Sequence, residues 1–159
     1  MKPALALYMD GSYDVTDAEG GWAFVVIRNN ETVATSSGRF DGKTNNTLEL
    51  YAAIMAVEWA IHQEEPSEIT LWSDSAYVVE GCNNWRPIWR NNGWKRYDPN
   101  PRKRNRSIPD ADLWKRMDRI LLDRPDIAVT WCKGHQGKIG NELADRLAGE
   151  ARSAAVPCS

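Results

Sequence analysis

Leu5-Ala6-Leu7-Tyr8-Met9, running straight into Asp10-Gly11-Ser12, is the stretch from which the fold is read. A short apolar strand ends there on a carboxylate, and similar runs return twice soon afterwards. Trp22 to Arg28 is a second strand and Thr32 to Arg39 a third, more polar one, with turn-forming residues at 17–21 and 28–31 between them. Connections this short make the three strands antiparallel neighbours. From Asn46 to about His62 the period lengthens. Leu48, Tyr51, Ala52, Met55 and Trp59 recur at spacings of three and four, and Leu50, Ile54, Val57 and Ile61 widen the stripe. A stripe so wide suits a central helix packed across a sheet. Pro66 ends this segment, Ile69 to Trp72 forms a fourth, buried strand, and a short helix runs from Ser75 to about Glu80, where Gly81 stops it.

Another short helix is expected from Asn83 to Asn91, with Pro87 in its first turn. After a loop rich in Pro, Asn and Arg, Ile108-Pro109-Asp110 caps a helix that buries Leu113, Met117, Ile120 and Leu121. Ile127 to Trp131 is a fifth strand, 134–140 a glycine-rich loop, and about Asn141 to Arg152 the last helix. Three hairpin strands followed by alternation predict an α/β fold on a mixed five-stranded sheet, three strands antiparallel and then two parallel. The expected domain is 1–153, with 154–159 a disordered tail.

A chain of 159 residues, 42% hydrophobic and 26% charged, fits one ordinary globular domain. Cys82, Cys132 and Cys158 are odd in number and lack metal-site spacing, which fits a reducing, cytoplasmic setting. Neither a signal peptide nor a run of roughly 20 apolar residues is present, so no membrane partner is expected. The net charge of −2 hides a strong polarity. Arg86, Arg90, Lys95, Arg96, Arg102, Lys103, Arg104 and Arg106 face a single acid, Asp98, within 86–106, and the rest of the chain is correspondingly acidic. Such a patch steers a charged ligand to one side of the molecule.

Four acids stand in motifs of their own: Asp10, Glu49 in Thr44-Asn45-Asn46-Thr47-Leu48-Glu49-Leu50, Asp74 in Trp72-Ser73-Asp74-Ser75, and Asp145 in Gly140-Asn141-Glu142-Leu143-Ala144-Asp145. Each has an ordinary explanation. Asp10-Gly11 reads as a turn. Asn46 and Glu49 read as a capping box, and Asp74 as a helix cap. Asp145 reads as part of a solvated face, opposite Ile139, Leu143 and Leu147. Against these stand two placements. Asp10 ends a strand that should be central, where an unpaired carboxylate costs several kcal/mol. Asp74 follows the carboxyl end of a strand, where α/β sites gather. Convergent carboxylates are what hard Mg²⁺ ions need, so convergence of these four would point to phosphodiester cleavage.

Taken together, the motifs resemble those of the type 1 ribonuclease H family, in its free-standing bacterial or phage form, over nearly the whole length. Beside the four acid motifs, the matching segments are Ser73-Asp74-Ser75-Ala76-Tyr77-Val78, Asn92-Gly93-Trp94-Lys95, Asp112-Leu113-Trp114-Lys115-Arg116 and Lys133-Gly134-His135-Gln136-Gly137. The resemblance implies the ribonuclease H-like fold and endonucleolytic cleavage of the RNA strand of RNA–DNA hybrids, leaving 3′-hydroxyl and 5′-phosphate ends. It implies two Mg²⁺ ions, with Mn²⁺ a possible substitute. Asp10 would be shared by both, Asp145 would complete the site of the ion that activates water, and Glu49 and Asp74 would hold the ion at the leaving oxygen. His135 would assist proton transfer or product release.

For the substrate, the resemblance implies that main-chain groups of Gly11, Ser12 and Tyr13, with Asn45 and Glu49, read the ribose 2′-hydroxyl, Asn46 lying among the binding residues. Thr44 would anchor a DNA-strand phosphate. A basic handle, about 82–106, would lay Trp85 on a DNA sugar, be held together by Trp89 and Trp94, and offer Arg86, Arg90, Lys95 and Arg96 to phosphates. Ala76 stands where the family commonly has glutamine and Gly42 where it commonly has arginine, and Pro87 lies inside the handle; these bear on affinity and cleavage pattern. The chain is expected to act as a monomer without a tethered hybrid-binding module. A DNA-directed nuclease of the same fold is the competing reading. A non-catalytic binding module would require one of the acids to be lost, and all four are present.

Overall fold

In β1 (Ala4–Asp14), Leu5, Leu7 and Met9 fall on one side of the pleat and are nearly or fully buried. The computed structural model describes residues 4–16, 18–42, 44–64, 67–96, 100, 102, 106–133 and 139–153; the expected tail, 154–159, lies outside them. β1 pairs antiparallel with β2 (Glu19–Arg28), which pairs antiparallel with β3 (Glu31–Arg39). On its other side β1 runs parallel to β4 (Glu68–Ser73), and β4 parallel to β5 (Ala128–Trp131). The sheet order is β3-β2-β1-β4-β5, the mixed topology expected from the sequence. β1 does not stop at Met9. The ladder continues through Asp10, opposite Ala23, as far as Asp14, so Asp10-Gly11 is strand and not turn.

Alternate residues of β1 face opposite layers. A Cβ on Gly11 would intrude on the backbone of Leu48 and Glu49, so only glycine lets α1 (Asn45–Ile61) lie this close to the sheet. On the other side Tyr8 fills the space that a Cβ on Gly140 of α5 (Ile139–Ser153) would need. α1 is buried nearly all round, at Leu48, Leu50, Ala52, Ala53, Ile54, Ala56, Val57 and Ala60, as a helix enclosed between a sheet and further helices must be. Its cap is Thr44, whose hydroxyl accepts the Thr47 N–H at 3.1 Å. This corrects the capping box centred on Asn46.

A second correction concerns Gly81. The chain stays helical from α2 (Ala76–Glu80), capped by Ser75, through a π-helical turn (Gly81–Trp85) into α3 (Arg86–Asn91). Gly81 has ordinary helical angles, and its bare Cα receives the indole of Trp114 from α4 (Ala111–Asp123). Close approach, not termination, requires the glycine there. Pro87 sits in the first turn of α3, as expected. The buried face of α4 is Trp114, Met117, Asp118 and Leu121, while Leu113 and Ile120 are only partly buried. Trp114 is fully buried and contacts Tyr77 and Trp89.

Two glycines separate these effects. Gly81→Ala should lower the unfolding free energy by about 1–3 kcal/mol, because the added methyl overpacks against an immobile indole. Gly149→Ala, in α5 with nothing within 4 Å of the new Cβ, should raise it by about 0.5–1 kcal/mol. Chemical denaturation measures both, and a stabilised Gly81→Ala variant would contradict the packing.

Candidate active site

The parallel register Tyr8↔Trp72, continued by two residues, sets Asp74 level with Asp10. Gly11 brings the first turn of α1, and with it Glu49, onto the same strand end. One carboxylate oxygen each from Asp10, Glu49 and Asp74 lies within 4.8 Å of the other two. Asp10 is buried at 8% exposure, while Glu49 and Asp74 are half-buried. Asp145 stands on the exposed side of α5, near enough for its side chain to raise the Asp10 carboxyl. The buried stripe of α5 is Gly140, Asn141, Ala144 and Ala148, not the expected Ile139, Leu143 and Leu147; Ile139 is 75% exposed. Small residues win that position because α5 lies against Tyr8 and against Gly21 of β2, where larger side chains have no room.

Burial is the main force pushing the Asp10 carboxyl far above the usual carboxylate range. The hydrogen bond and charge of Glu49 add to it, followed by Asp145 and the charge of Asp74. Glu49 is also raised, mainly by burial, although the hydrogen bond from Asp10 and the Gly11 N–H work against this. One Glu49 oxygen, Oε2, is buried without a hydrogen-bond partner. An orphaned anionic oxygen within a group of three acids fits a divalent cation, which prefers oxygen donors and removes the mutual repulsion.

Several contacts that hold this site in place are absent from the sequence reading. Asp110 was expected to cap α4. It occupies the cap position at φ 57°, but its carboxylate makes no capping bond. It accepts instead from the Thr47 hydroxyl at 2.8 Å and the Tyr77 hydroxyl at 2.7 Å, and Tyr77 in turn accepts from the Trp114 indole N–H at 2.9 Å. The start of α1 is thereby tied to α2 and α4. On the other flank Arg152 of α5 donates to the Ser12 hydroxyl at 3.0 Å. Only the need of a buried Trp for an N–H acceptor hinted at Tyr77.

An open groove of about 640 Å³ leads from Asn45, Asn46 and Glu49 past Asp74 and Ala76 to Trp85, which is 39% exposed. Thr44, Asn45 and Asn46 are exposed at the start of α1, and the Tyr13 N–H donates to Asn45 Oδ1 at 2.8 Å. Lys95 and Arg96 are exposed at the base of the handle, where 94–96 is clipped to 106–108 by main-chain bonds. Arg86 and Arg90 point elsewhere. Both face Asp118, a carboxylate of 4% exposure, and Arg86 also donates to the Cys82 carbonyl. Trp89 and Trp94 pack against the core. His135 and its glycine loop lie outside the described residues. No helix among the described residues is long and apolar enough to cross a membrane.

A mixed sheet carrying convergent carboxylates beside an open groove defines a class of α/β nuclease. The family profile of RNase H matches residues 2–153. Ribonuclease H of Polynucleobacter asymbioticus is 36% identical over 155 residues, covering 98% of this chain and 94% of the relative. Ribonuclease HI of Caulobacter vibrioides is 36% identical over 157 residues, covering 99% and 98%. The foamy viral protease-reverse transcriptase, solved in complex with an RNA/DNA hybrid, superposes with a TM-score of 0.80 at 23% identity; the match covers 97% of this chain and 20% of that much longer one. The chain belongs to the RNase H family, and it is a ribonuclease H enzyme.

The raised Asp10 carboxyl has a consequence for the protein stripped of divalent ions. A folded-state value above the ordinary 3.8 makes the stabilising contribution complete at low pH and lost progressively as pH rises. In chelator, the wild type should therefore melt at a lower temperature at about pH 9 than at about pH 6. Asp10→Asn should melt higher than wild type and lose most of that slope, and added Mg²⁺ should flatten the wild-type slope. A chelated wild type that gains stability on going to the higher pH would contradict the assignment.

Proposed function

We propose that this chain is an endonuclease that hydrolyses the RNA strand of RNA–DNA hybrids, leaving 5′-phosphate and 3′-hydroxyl ends. The observation that carries the reading is the convergence of Asp10, Glu49 and Asp74 at one end of the groove, with Asp145 beside them. In this reading the four acids hold two Mg²⁺ ions, for which Mn²⁺ can substitute. Bound there, such ions supply an acidified water and positive charge at the phosphorus.

The remaining work falls to the chain's own residues. Because the Asn45 carbonyl oxygen is used by the Tyr13 N–H, its amide NH₂ is left to donate into the groove. Glu49, beside it, offers carboxylate oxygens as acceptors. A donor and an acceptor together suit a 2′-hydroxyl, which both accepts and donates and which distinguishes RNA from DNA. Gly11, Ser12 and Tyr13 complete this reading of the ribose from the main chain. At the far end Trp85 offers an aromatic face to a sugar, and Lys95 and Arg96 meet phosphates without reading sequence. Arg86 works internally, orienting α3 through Asp118, and Arg90 shares that anchor. His135 assists proton transfer or product release. Support for a hybrid substrate comes from the RNA/DNA complex of the structurally similar viral protein.

Cleavage of labelled hybrid, duplex DNA and duplex RNA in Mg²⁺ tests this directly: only the hybrid should be cut, and only in its RNA strand. Asp10→Asn should lose a thousandfold or more of the rate, on the order expected when transition-state charge stabilisation is removed. His135→Ala should lose only about a hundredfold, the low end for a proton-transfer group. Equal losses would mean that the roles are wrongly assigned, and preferential cutting of duplex DNA would establish the competing nuclease reading.

A further inference from the structure

The wide turn that joins α2 to α3 leaves one buried carbonyl without a main-chain donor. In a regular α-helix the Cys82 carbonyl would accept the Arg86 N–H. Here that N–H bonds instead to the Gly81 carbonyl, one residue further back, and the turn is π-helical. A second π bond, to Cys82, would have to come from position 87, and Pro87 has no N–H. Cys82 is 1% exposed, so an unserved carbonyl there is costly. Arg86 supplies the donor from its side chain. Its Nε donates to the Cys82 carbonyl at 2.9 Å, while Nη1 reaches the Asp118 carboxylate. The side chain thus replaces the bond that its own main chain gave up.

Trp85 is the last residue of that turn and stands at the far end of the groove, its ring 5.6 Å from that of Trp89. The turn is pinned on both sides of it. Gly81 lies against Trp114, and the Asn83 side-chain NH₂ donates to the Val129 carbonyl of β5 at 2.9 Å. We propose that Arg86 is a positioning residue for Trp85: by serving the Cys82 carbonyl it holds the turn wide, and the wide turn faces the indole toward the groove. The inference rests on the hybrid-cleavage reading, in which Trp85 meets a sugar, and it gives Pro87 a physical consequence. Without the side-chain donor, the Cys82 carbonyl regains a partner only if the Arg86 N–H moves to it from Gly81. That shift narrows the turn and swings Trp85 off the groove. Alanine at 87 makes the side-chain donor unnecessary, because its N–H can serve Cys82 while the turn stays wide.

The test measures binding of a short RNA–DNA hybrid by fluorescence anisotropy in chelator, where no cleavage occurs, and KM and kcat in Mg²⁺. Arg86→Lys keeps a charge for Asp118 but carries all its donors on one atom, so it cannot serve carbonyl and carboxylate together as the arginine fork does. Trp85→Ala should weaken binding about tenfold. Arg86→Lys should weaken it about fivefold, the worth of one modest hydrogen bond, raising KM with kcat unchanged. Pro87→Ala alone should bind as the wild type does, and added to Arg86→Lys it should restore the lost affinity. With Trp85→Ala in the background, Arg86→Lys should bring no further loss. Chemical denaturation confirms that each variant is folded. Absence of rescue by Pro87→Ala would overturn the positioning role alone. So would a loss that persists without Trp85, which would make Arg86 itself a phosphate contact, or unchanged binding in Trp85→Ala. Failure of the wild type to bind the hybrid would remove the positioning role and the functional reading together.

Discussion

Three half-buried or buried carboxylates within 4.8 Å of one another repel, and the fold has to hold them together. Rigid main-chain relationships do this. Asp10 and Asp74 ride on adjacent parallel strands whose register sets them level. Glu49 is brought in by the bare Cα of Gly11, which lets α1 meet β1 closely. Small residues along α5 bring Asp145 within reach of Asp10. Each acid belongs to a different element, so none can relax away without moving a strand or helix. Burial and this repulsion raise the Asp10 and Glu49 carboxyls above the ordinary carboxylate range. Such a site is poised for cations, since metal and proton compete for the same oxygens.

The second layer of the design is an internal ionic and hydrogen-bonded frame on the α2–α3–α4 side. Asp110 joins α1 to α2, Arg116 and Glu58 pair α4 with α1, and Asp118 draws Arg86 and Arg90 of α3 against α4. The basic segment is therefore divided. Its N-terminal arginines serve the fold, and Lys95 and Arg96 remain at the surface. Long-range attraction of an anionic ligand acts from the exposed cations, while Arg86 and Arg90, drawn to the buried Asp118, fix α3, which follows directly on Trp85.

What the sequence made legible follows the range of the interactions involved. Strand alternation and the wide apolar stripe of α1 are local patterns, and all five strands and the mixed character of the sheet emerged from them, while the place of β4 beside β1 did not. The acid motifs carried the site, because their neighbours (Gly11, Ser75, Asn45) are the residues that shape the adjoining backbone. Local pattern misled at Gly81, where a helix stop and a helix–indole contact look alike until the position of Trp114 is known. It misled again at Asn46, since Thr44 offers the same capping chemistry two residues earlier. Asp110 was beyond its reach: the partners lie 63 and 33 residues away in the chain. The same holds for Arg86 and Asp118, 32 residues apart, where a surface charge and a buried anchor are spelled identically.

The central claim is that Asp10, Glu49 and Asp74 form one cation-binding centre. Anomalous X-ray diffraction from crystals soaked in Mn²⁺ tests it most directly. The account predicts an anomalous peak in contact with the Asp10 carboxylate and shared with Glu49 or Asp74, absent from Asp10→Asn crystals treated alike. A fully occupied Mn²⁺ bound elsewhere on the protein, with these three carboxylates metal-free, would contradict it.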